Sequence, residues 1–244
     1  MTLREHWDRQ ADAWARFART PGHDAFHEEF NLPAFLELLP PPGRATLDLG
    51  CGEGRVGAEL ARRGHRVTGI DTSPEIVELA RERHEAVVGD AAALPFDDAS
   101  FDLVIAYMSL MNMDDLDAVV REVARVLVPG GRLCSSDIHP INVGTFEEEE
   151  PDSPFVIRGS YVDPEPKLWK SDRDGIQMTF WDQPIPLERY SRAFEAAGLL
   201  IEAVREPRPP KAFVRRRPIA ARLLRVPLLL HLRAVKAVSS TAGW

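Results

Sequence analysis

The sequence predicts a single α/β domain: a doubly wound, mostly parallel seven-stranded sheet with an inserted lid after the fifth strand. Three observations carry that prediction. Short apolar runs rich in Leu, Val and Ile alternate with amphipathic segments at the spacing of right-handed βαβ units. The 244 residues, 44% hydrophobic and 28% charged, suffice for one large core without staples. A glycine-rich turn follows the first apolar run, at the point where a strand hands over to a helix.

In order along the chain, residues 1–40 are expected to form a helical cap, with a helix over 2–19 that carries Trp7, Trp14 and Phe17. The central segment over 41–138 follows the Pro40-Pro41-Pro42 break. Residues 45–49 read as a buried strand, 56–63 as a helix and 65–70 as a second strand. The helix over 74–84 starts on Pro74, whose fixed φ suits a first turn. Residues 86–88 make a short strand and 101–106 a buried one. Over 114–127, Leu116, Val119, Val120, Val123 and Leu127 recur at helical spacing, and 131–138 makes the fifth strand. The insertion over 139–186 is rich in prolines and acids, with strand-like pieces at 155–157 and 176–181; long segments of this kind tend to be functional lids. Residues 187–197 read as a helix stopped by Gly198, and 199–204 with 227–235 as a closing strand pair within the last segment, 187–244.

Composition narrows the function classes. Cys51 and Cys134 are too few for a disulfide framework, and no C-x-x-C or Cys/His spacing points to a metal. The first residues lack a signal-peptide apolar run, and nothing approaches the ~20 apolar residues of a membrane span. A cytoplasmic protein, monomer or homodimer, is expected. The net charge of −8 combines +9 over 205–244, ten basic residues against Glu206, with −17 over the rest. So acidic a body disfavours broad nucleic-acid binding, which works by neutralising phosphates. The run Arg215-Arg216-Arg217 keeps a local RNA site open, against the reading of a solvated connection leading into the last strand.

Parallel sheets bind ligands beyond the carboxyl ends of their strands, so the residues after each strand are where chemistry is expected. After the first strand comes Asp48-Leu49-Gly50-Cys51-Gly52-Glu53-Gly54. Glycines there allow positive φ and close approach of the backbone to a ligand. Residues 52–57 also match G-x-G-x-x-G, the dinucleotide fingerprint. Gly50 already occupies the turn, however, and the Asp48 carboxylate beside it repels a pyrophosphate while suiting a cationic ligand. Asp71 ends the second strand, where paired acceptors hold a ribose diol, and Asp90 follows the third, placed to accept from an adenine amino group.

Taken together, LDLGCGEG (47–54), GIDTSP (69–74), GDAAALPF (89–96), SFDLV (100–104) and LVPGGRL (127–133) resemble class I S-adenosylmethionine-dependent methyltransferases. The likeness is greatest to the small-molecule kind related to ubiquinone and menaquinone methylases, and it covers about 45–138. It implies a Rossmann-like fold, S-adenosyl-L-methionine as donor and a small-molecule acceptor. It also implies that Asp48, Gly50 and Gly52 cradle the methionine portion, with Cys51 a small residue beside it. Asp71 would bind the ribose, with Thr72 in the same cofactor site, and Asp90 and Ala91 would contact the adenine. Tyr107 and Met108 would line the surroundings of the methyl, and Trp14 would cap the cofactor. Met111-Asn112 stands where family members often carry a His pair, and the signatures of base-amino and cytosine methylation are absent.

Methyl transfer from a sulfonium is an in-line displacement that gains from positioning and dryness; a base is needed only where the acceptor must lose a proton. The candidates are His139, Asp137 and Tyr107. His139 reads equally as a turn residue before Pro140, Asp137 as a capping group and Tyr107 as a wall of the pocket. Trp169, Phe180 and Trp181 either line an acceptor pocket or fold the lid. The expected function is methylation of a small molecule in a desolvated pocket. RNA-directed methylation, a non-catalytic cofactor-binding module and an NAD-type oxidoreductase are the alternatives.

Overall fold

The computed structural model describes residues 3–238, so Thr2, the expected start of the first helix, lies outside the described residues. The N-terminal segment forms α1 (Leu3–Arg19), a wide π-turn over His27–Asn31 and α2 (Leu32–Leu36). The chain then alternates: β1 (Thr46–Leu49), α3 (Arg55–Arg62), β2 (Val67–Asp71), α4 (Pro74–Arg81), β3 (Glu85–Val88), β4 (Phe101–Tyr107), α5 (Leu116–Val126) and β5 (Leu127–Ile138). Two small hairpins follow, β6 (Thr145–Phe146) with β7 (Phe155–Val156) and β8 (Lys167–Arg173) with β9 (Ile176–Asp182). The remainder is α6 (Leu187–Ala196), β10 (Leu199–Arg205), α7 (Lys211–Arg216) and β11 (Leu229–Lys236).

Seven strands make one sheet in the order β10-β11-β5-β4-β1-β2-β3, in which β11 alone runs antiparallel. The chain winds outward from β1 through β2 to β3, then returns to lay β4 on the other side of β1. That reversal opens a crevice at the carboxyl ends of β1 and β4. Strand β4 shows why both faces are covered. Val104 and Ala106 pack into the core made with α5 and α6, whereas Leu103, Ile105 and Tyr107 pack on α2 and α3 through Phe35, Val56 and Leu60. A strand buried on both faces reads as a near-continuous apolar run, which is how 101–106 reads in the sequence, with Asp102 its one interruption.

The 139–186 segment departs from its expected content in its strands, one being the short β6 that pairs with β7. Besides the anticipated strands near 155–157 and 176–181 it also contains β8, whose sequence KLWKSDR is too polar to announce a strand. The β8–β9 hairpin lies against α1, and both backbone groups of Thr179 are satisfied there. The His6 imidazole donates Nε2–H to its carbonyl at 2.8 Å, and Gln10 Oε1 accepts its N–H at 3.0 Å. No helix among the described residues is long and apolar enough to cross a membrane.

Candidate functional site

A cleft of about 660 Å³ opens beyond β1, β2 and β4. Its floor is the turn after β1, where the N–H groups of Gly50 and Cys51 both donate to the Ile70 carbonyl, at 2.8 and 3.0 Å. Gly50 sits at φ +70°, and a Cβ there would stand 2.7 Å from the Ser109 Cβ. The next glycine, Gly52, donates its N–H to Asp71 Oδ2 at 3.0 Å, while the Ser73 N–H donates to Oδ1 at 3.2 Å. Each carboxylate oxygen thus takes at least one backbone donor, and the pair keeps lone-pair capacity for a ligand. Burial pushes the Asp71 carboxyl above its ordinary value, opposed by the backbone N–H groups of Ser73, Gly52 and Thr72.

Trp14 and Thr72, Asp90 and Ala91 line the same end of the cleft as Gly50, Cys51, Gly52 and Asp71. The Trp14 indole nitrogen stands 3.4 Å from where a Gly52 Cβ would be, so α1 brings this ring directly over the glycine turn. Its opposite neighbours are Phe17, stacked at 5.9 Å, and the Arg55 guanidinium, 5.0 Å from the ring centre. Arg55 in turn pairs with Asp24 at 2.8 Å. Burial holds the Cys51 thiol far above its ordinary value, so it is a small inert group here.

The rest of the lining is apolar and aromatic. Tyr107, Met108, Met111 and Met113 contribute to it from the end of β4 and the loop that follows, and Trp7, Phe17, Trp169 and Phe180 from α1 and the β8–β9 hairpin. Met113 reaches the glycine turn, its Cε 3.6 Å from where a Gly50 Cβ would be. Trp169 stacks on Phe180 at 4.2 Å. Met108 takes φ +55°, which few side chains adopt, and hydrogen bonds hold it there: its N–H donates to the Ser136 carbonyl at 2.6 Å, and its carbonyl accepts from the Asn112 amide at 3.0 Å. The Asn112 side chain thus shapes this wall.

Three residues singled out in the sequence do not line the cleft. Asp48 is turned beneath the turn and 1% exposed, and it accepts from the Gly57 N–H, one of the free donors in the first turn of α3. Its carboxyl is pushed up to about 7, by burial first and by the Asp71 charge second. Asp137 is also 1% exposed, behind the cleft wall, where Oδ1 accepts the Met111 N–H at 3.2 Å. Burial pushes it up to about 7. His139 is occupied elsewhere: Nδ1 accepts from the Ile141 N–H at 3.0 Å, and Nε2 lies 3.0 Å from Glu206. Trp181, unlike Trp169 and Phe180, packs edge-on against His6.

Sequence reasoning missed His23, Asp24, His27, Asn31 and Arg55, all of which line the cleft. His27 lies 3.0 Å from the Tyr107 hydroxyl through Nδ1. Arg55 occupies an unspecified position of the 52–57 glycine motif, and no periodicity or motif marks the other four. The basic tail is largely consumed within the molecule. Arg216 and Arg217 pair with Glu29, Arg225 donates to the Pro151 and Ser153 carbonyls, and Lys236 donates to the Leu127 carbonyl.

Comparison with known proteins agrees with this geometry. Residues 47–135 match the family model described as a methyltransferase domain. An O-methyltransferase from Pyrenophora dematioidea is 38% identical over 121 residues, covering 46% of this chain and 45% of that protein. A demethylmenaquinone methyltransferase from Corynebacterium kroppenstedtii is 42% identical over 97 residues, covering 39% and 42%. The chain thus spans about half or less of the length of these relatives. Among solved structures, an S-adenosylmethionine-dependent methyltransferase from Mesorhizobium loti superposes with a TM-score of 0.68 at 26% identity, over 83% of this chain and 96% of that one. The [4+2]-cyclase SpnF shares the fold too, with a TM-score of 0.65 at 20% identity, over 97% and 96%.

Proposed function

We propose, from the premise that residues 47–135 are a methyltransferase domain of the class I S-adenosylmethionine-dependent kind, that this chain transfers a methyl group to a small-molecule acceptor. The observation that carries the reading is one cleft in which the glycine turn, the Asp71 carboxylate and Asp90 meet an apolar, aromatic far wall. Bound there, S-adenosyl-L-methionine supplies an electrophilic methyl carbon on a sulfonium. Everything else is the chain's own work. Gly50 and Gly52 let the backbone pass close beneath the donor, and the two oxygens of Asp71 accept from a pair of vicinal hydroxyls. Asp90 and Ala91 meet the edge of the base, and Trp14 covers the turn. Asp48 acts from below, fixing the start of α3 and with it the shape of the turn.

The far wall excludes water, so that an acceptor held in line with the S–C bond reacts as if within one molecule. Tyr107 is a wall group in this proposal: burial raises its hydroxyl well above the ordinary value, so it keeps its proton. Asp137 and His139 take no part, being outside the lining. The β8–β9 hairpin and α1 together form the cover. The printed names of relatives, an O-methyltransferase and a demethylmenaquinone methyltransferase, support an organic acceptor of modest size.

The fold by itself decides nothing about the chemistry, since a cyclase has it as well. Calorimetry with S-adenosylhomocysteine, followed by a search for labelled methyl transferred to a panel of phenols and quinols, is the test. The wild type is expected to bind, and Asp71→Ala to bind at least roughly 10- to 100-fold more weakly, the worth of one hydrogen bond to a charged acceptor. Equal affinity in the variant removes the ribose assignment. No donor binding by the wild type removes the proposal.

A further inference from the structure

We propose that His27 holds the acceptor, as the last donor of a buried hydrogen-bond row running through Asn31 and Tyr107, and that the acceptor meets its Nε2–H with an oxygen lone pair. The word acceptor rests on the methyl-transfer reading; the row itself does not.

The row begins in the sheet. Across β4, β5 and β11, Tyr107 stands opposite Ser136 and Ser136 opposite His231. The π-turn His27–Asn31 lies over them and turns His27 and Asn31 to its buried side. Asn31 Oδ1 accepts from the Ser136 hydroxyl at 2.9 Å and from His231 Nε2 at 2.8 Å. An amide oxygen flanked by two donors fixes which way the amide faces. Its NH2 therefore points away from them, to Tyr107, whose oxygen it hydrogen-bonds. Having accepted from Asn31, the phenol donates its own proton to its other neighbour, His27 Nδ1, at 3.0 Å. A neutral imidazole that accepts at Nδ1 carries its proton at Nε2.

Two charged groups face the ring, Arg55 from α3 and Asp24 from the turn before it, and they pair with each other at 2.8 Å. Burial and the Arg55 guanidinium hold the His27 pKa down to about 3, so the ring is neutral at physiological pH. The ring lines the cleft beside Asn31, Tyr107 and Met108, and in this tautomer Nε2–H is the donor it has left for a ligand. The row also excludes a role as base. Taking a proton at Nε2 requires the lone pair on that atom and the hydrogen on Nδ1, which leaves the buried Tyr107 hydroxyl proton without an acceptor. An acceptor that must be deprotonated by His27 is therefore a poor fit. The class that fits is an apolar molecule bearing a carbonyl, ether or ionised hydroxyl oxygen beside its nucleophilic atom.

Long-range 1H–15N correlation spectra of the full chain, labelled at histidine, read the protonation of each ring nitrogen. His27→Gln identifies the signal, and Tyr107→Phe identifies it independently by shifting Nδ1 and mixing the tautomers. The expected result between about pH 6 and 8 is a His27 with Nε2 protonated and Nδ1 bare. A proton on Nδ1, or an imidazolium, overturns the inference. Titration of the same sample with S-adenosylhomocysteine separates the two readings. Binding with the wrong tautomer sinks His27 alone, and the right tautomer without binding sinks the methyl-transfer reading alone.

A ligand pair tests the class. 1-Methoxynaphthalene offers a lone pair and no proton, and 1-ethylnaphthalene has its shape without the oxygen. The ether is expected to shift His27 Nε2 more than the hydrocarbon does. In bound-ligand signals that preference should survive in His27→Gln, which keeps a donor at the same place, and vanish in His27→Phe. Equal shifts from both probes in the wild type, or a preference that persists in His27→Phe, overturn the assigned class.

Discussion

Gly50 shows how tightly one residue can be specified. Its φ of +70° lies where L side chains are strained, and the space its Cβ would need is held by Ser109. Ser109 cannot give way cheaply, because its hydroxyl donates to the Leu49 carbonyl at 2.6 Å in a buried position. Gly50→Ala is therefore expected to lose about 1–3 kcal/mol of stability and more of its donor affinity. Thermal melts with and without S-adenosylhomocysteine check this, and an unchanged melting temperature would contradict it. Asp48 teaches the opposite lesson at the same scale. From sequence it is expected to be a ligand of the cation; in three dimensions it is buried beneath the turn and satisfies the Gly57 N–H. Asp71, one strand over, does line the cleft, because it sits at the very end of β2, where the strand stops and the backbone bends around it.

At the scale of elements, α1 and the β8–β9 hairpin are one cover. Phe180 meets Trp7 and Phe17 edge-on, each at 6.4 Å, and carries Trp169 on its face, while Thr179 is bonded through its backbone to α1 side chains. Removing the shared ring in Phe180→Ala should speed amide hydrogen exchange in α1 and in both hairpin strands together and leave β1–β5 unchanged. Faster exchange in the hairpin with α1 still protected would show two independent elements. Half of this cover was legible in the sequence. Residues 176–181 alternate as a strand does, but β8 is half charged and its pairing comes from β9, so no local pattern reveals it. The helices and strands of the core were legible in kind and order, since each buries an apolar face whose period is the period of the element. They were not legible at every end: β5 begins at Leu127, four residues before the expected 131, and α4 stops at Arg81, three before the expected 84.

For the molecule as a whole, two buried carboxyls set a pH dependence. Asp48 and Asp137 are both held up to about 7, burial being the first cause in each. The unfolded chain releases such protons from about pH 4, so the stability they contribute is complete below that and is lost as pH rises toward 7. Asp137→Asn, outside the cleft, removes one of the two titrations while keeping an acceptor for the Met111 N–H. Its stability relative to the wild type is expected to rise between pH 4 and 8 by on the order of 2–4 kcal/mol, or several degrees of melting temperature. A difference that does not change with pH would refute this. The tail belongs to the same scale. Its net charge suggests a polyanion partner, yet Glu29 and several backbone carbonyls already hold much of it.

The alternation of strands and helices, the glycine turn and the acids after successive strands were determined by the sequence by itself. A βαβ chain forces consecutive strand ends to one edge of the sheet, so order along the chain already says which loops meet. Tertiary structure alone decided the far half of the cleft. His231 and Asn31 are 200 positions apart, and they meet because β11 runs antiparallel to β5 in one register, with a π-turn laid over it. That register is chosen by packing across the whole sheet, and no residue near either partner encodes it.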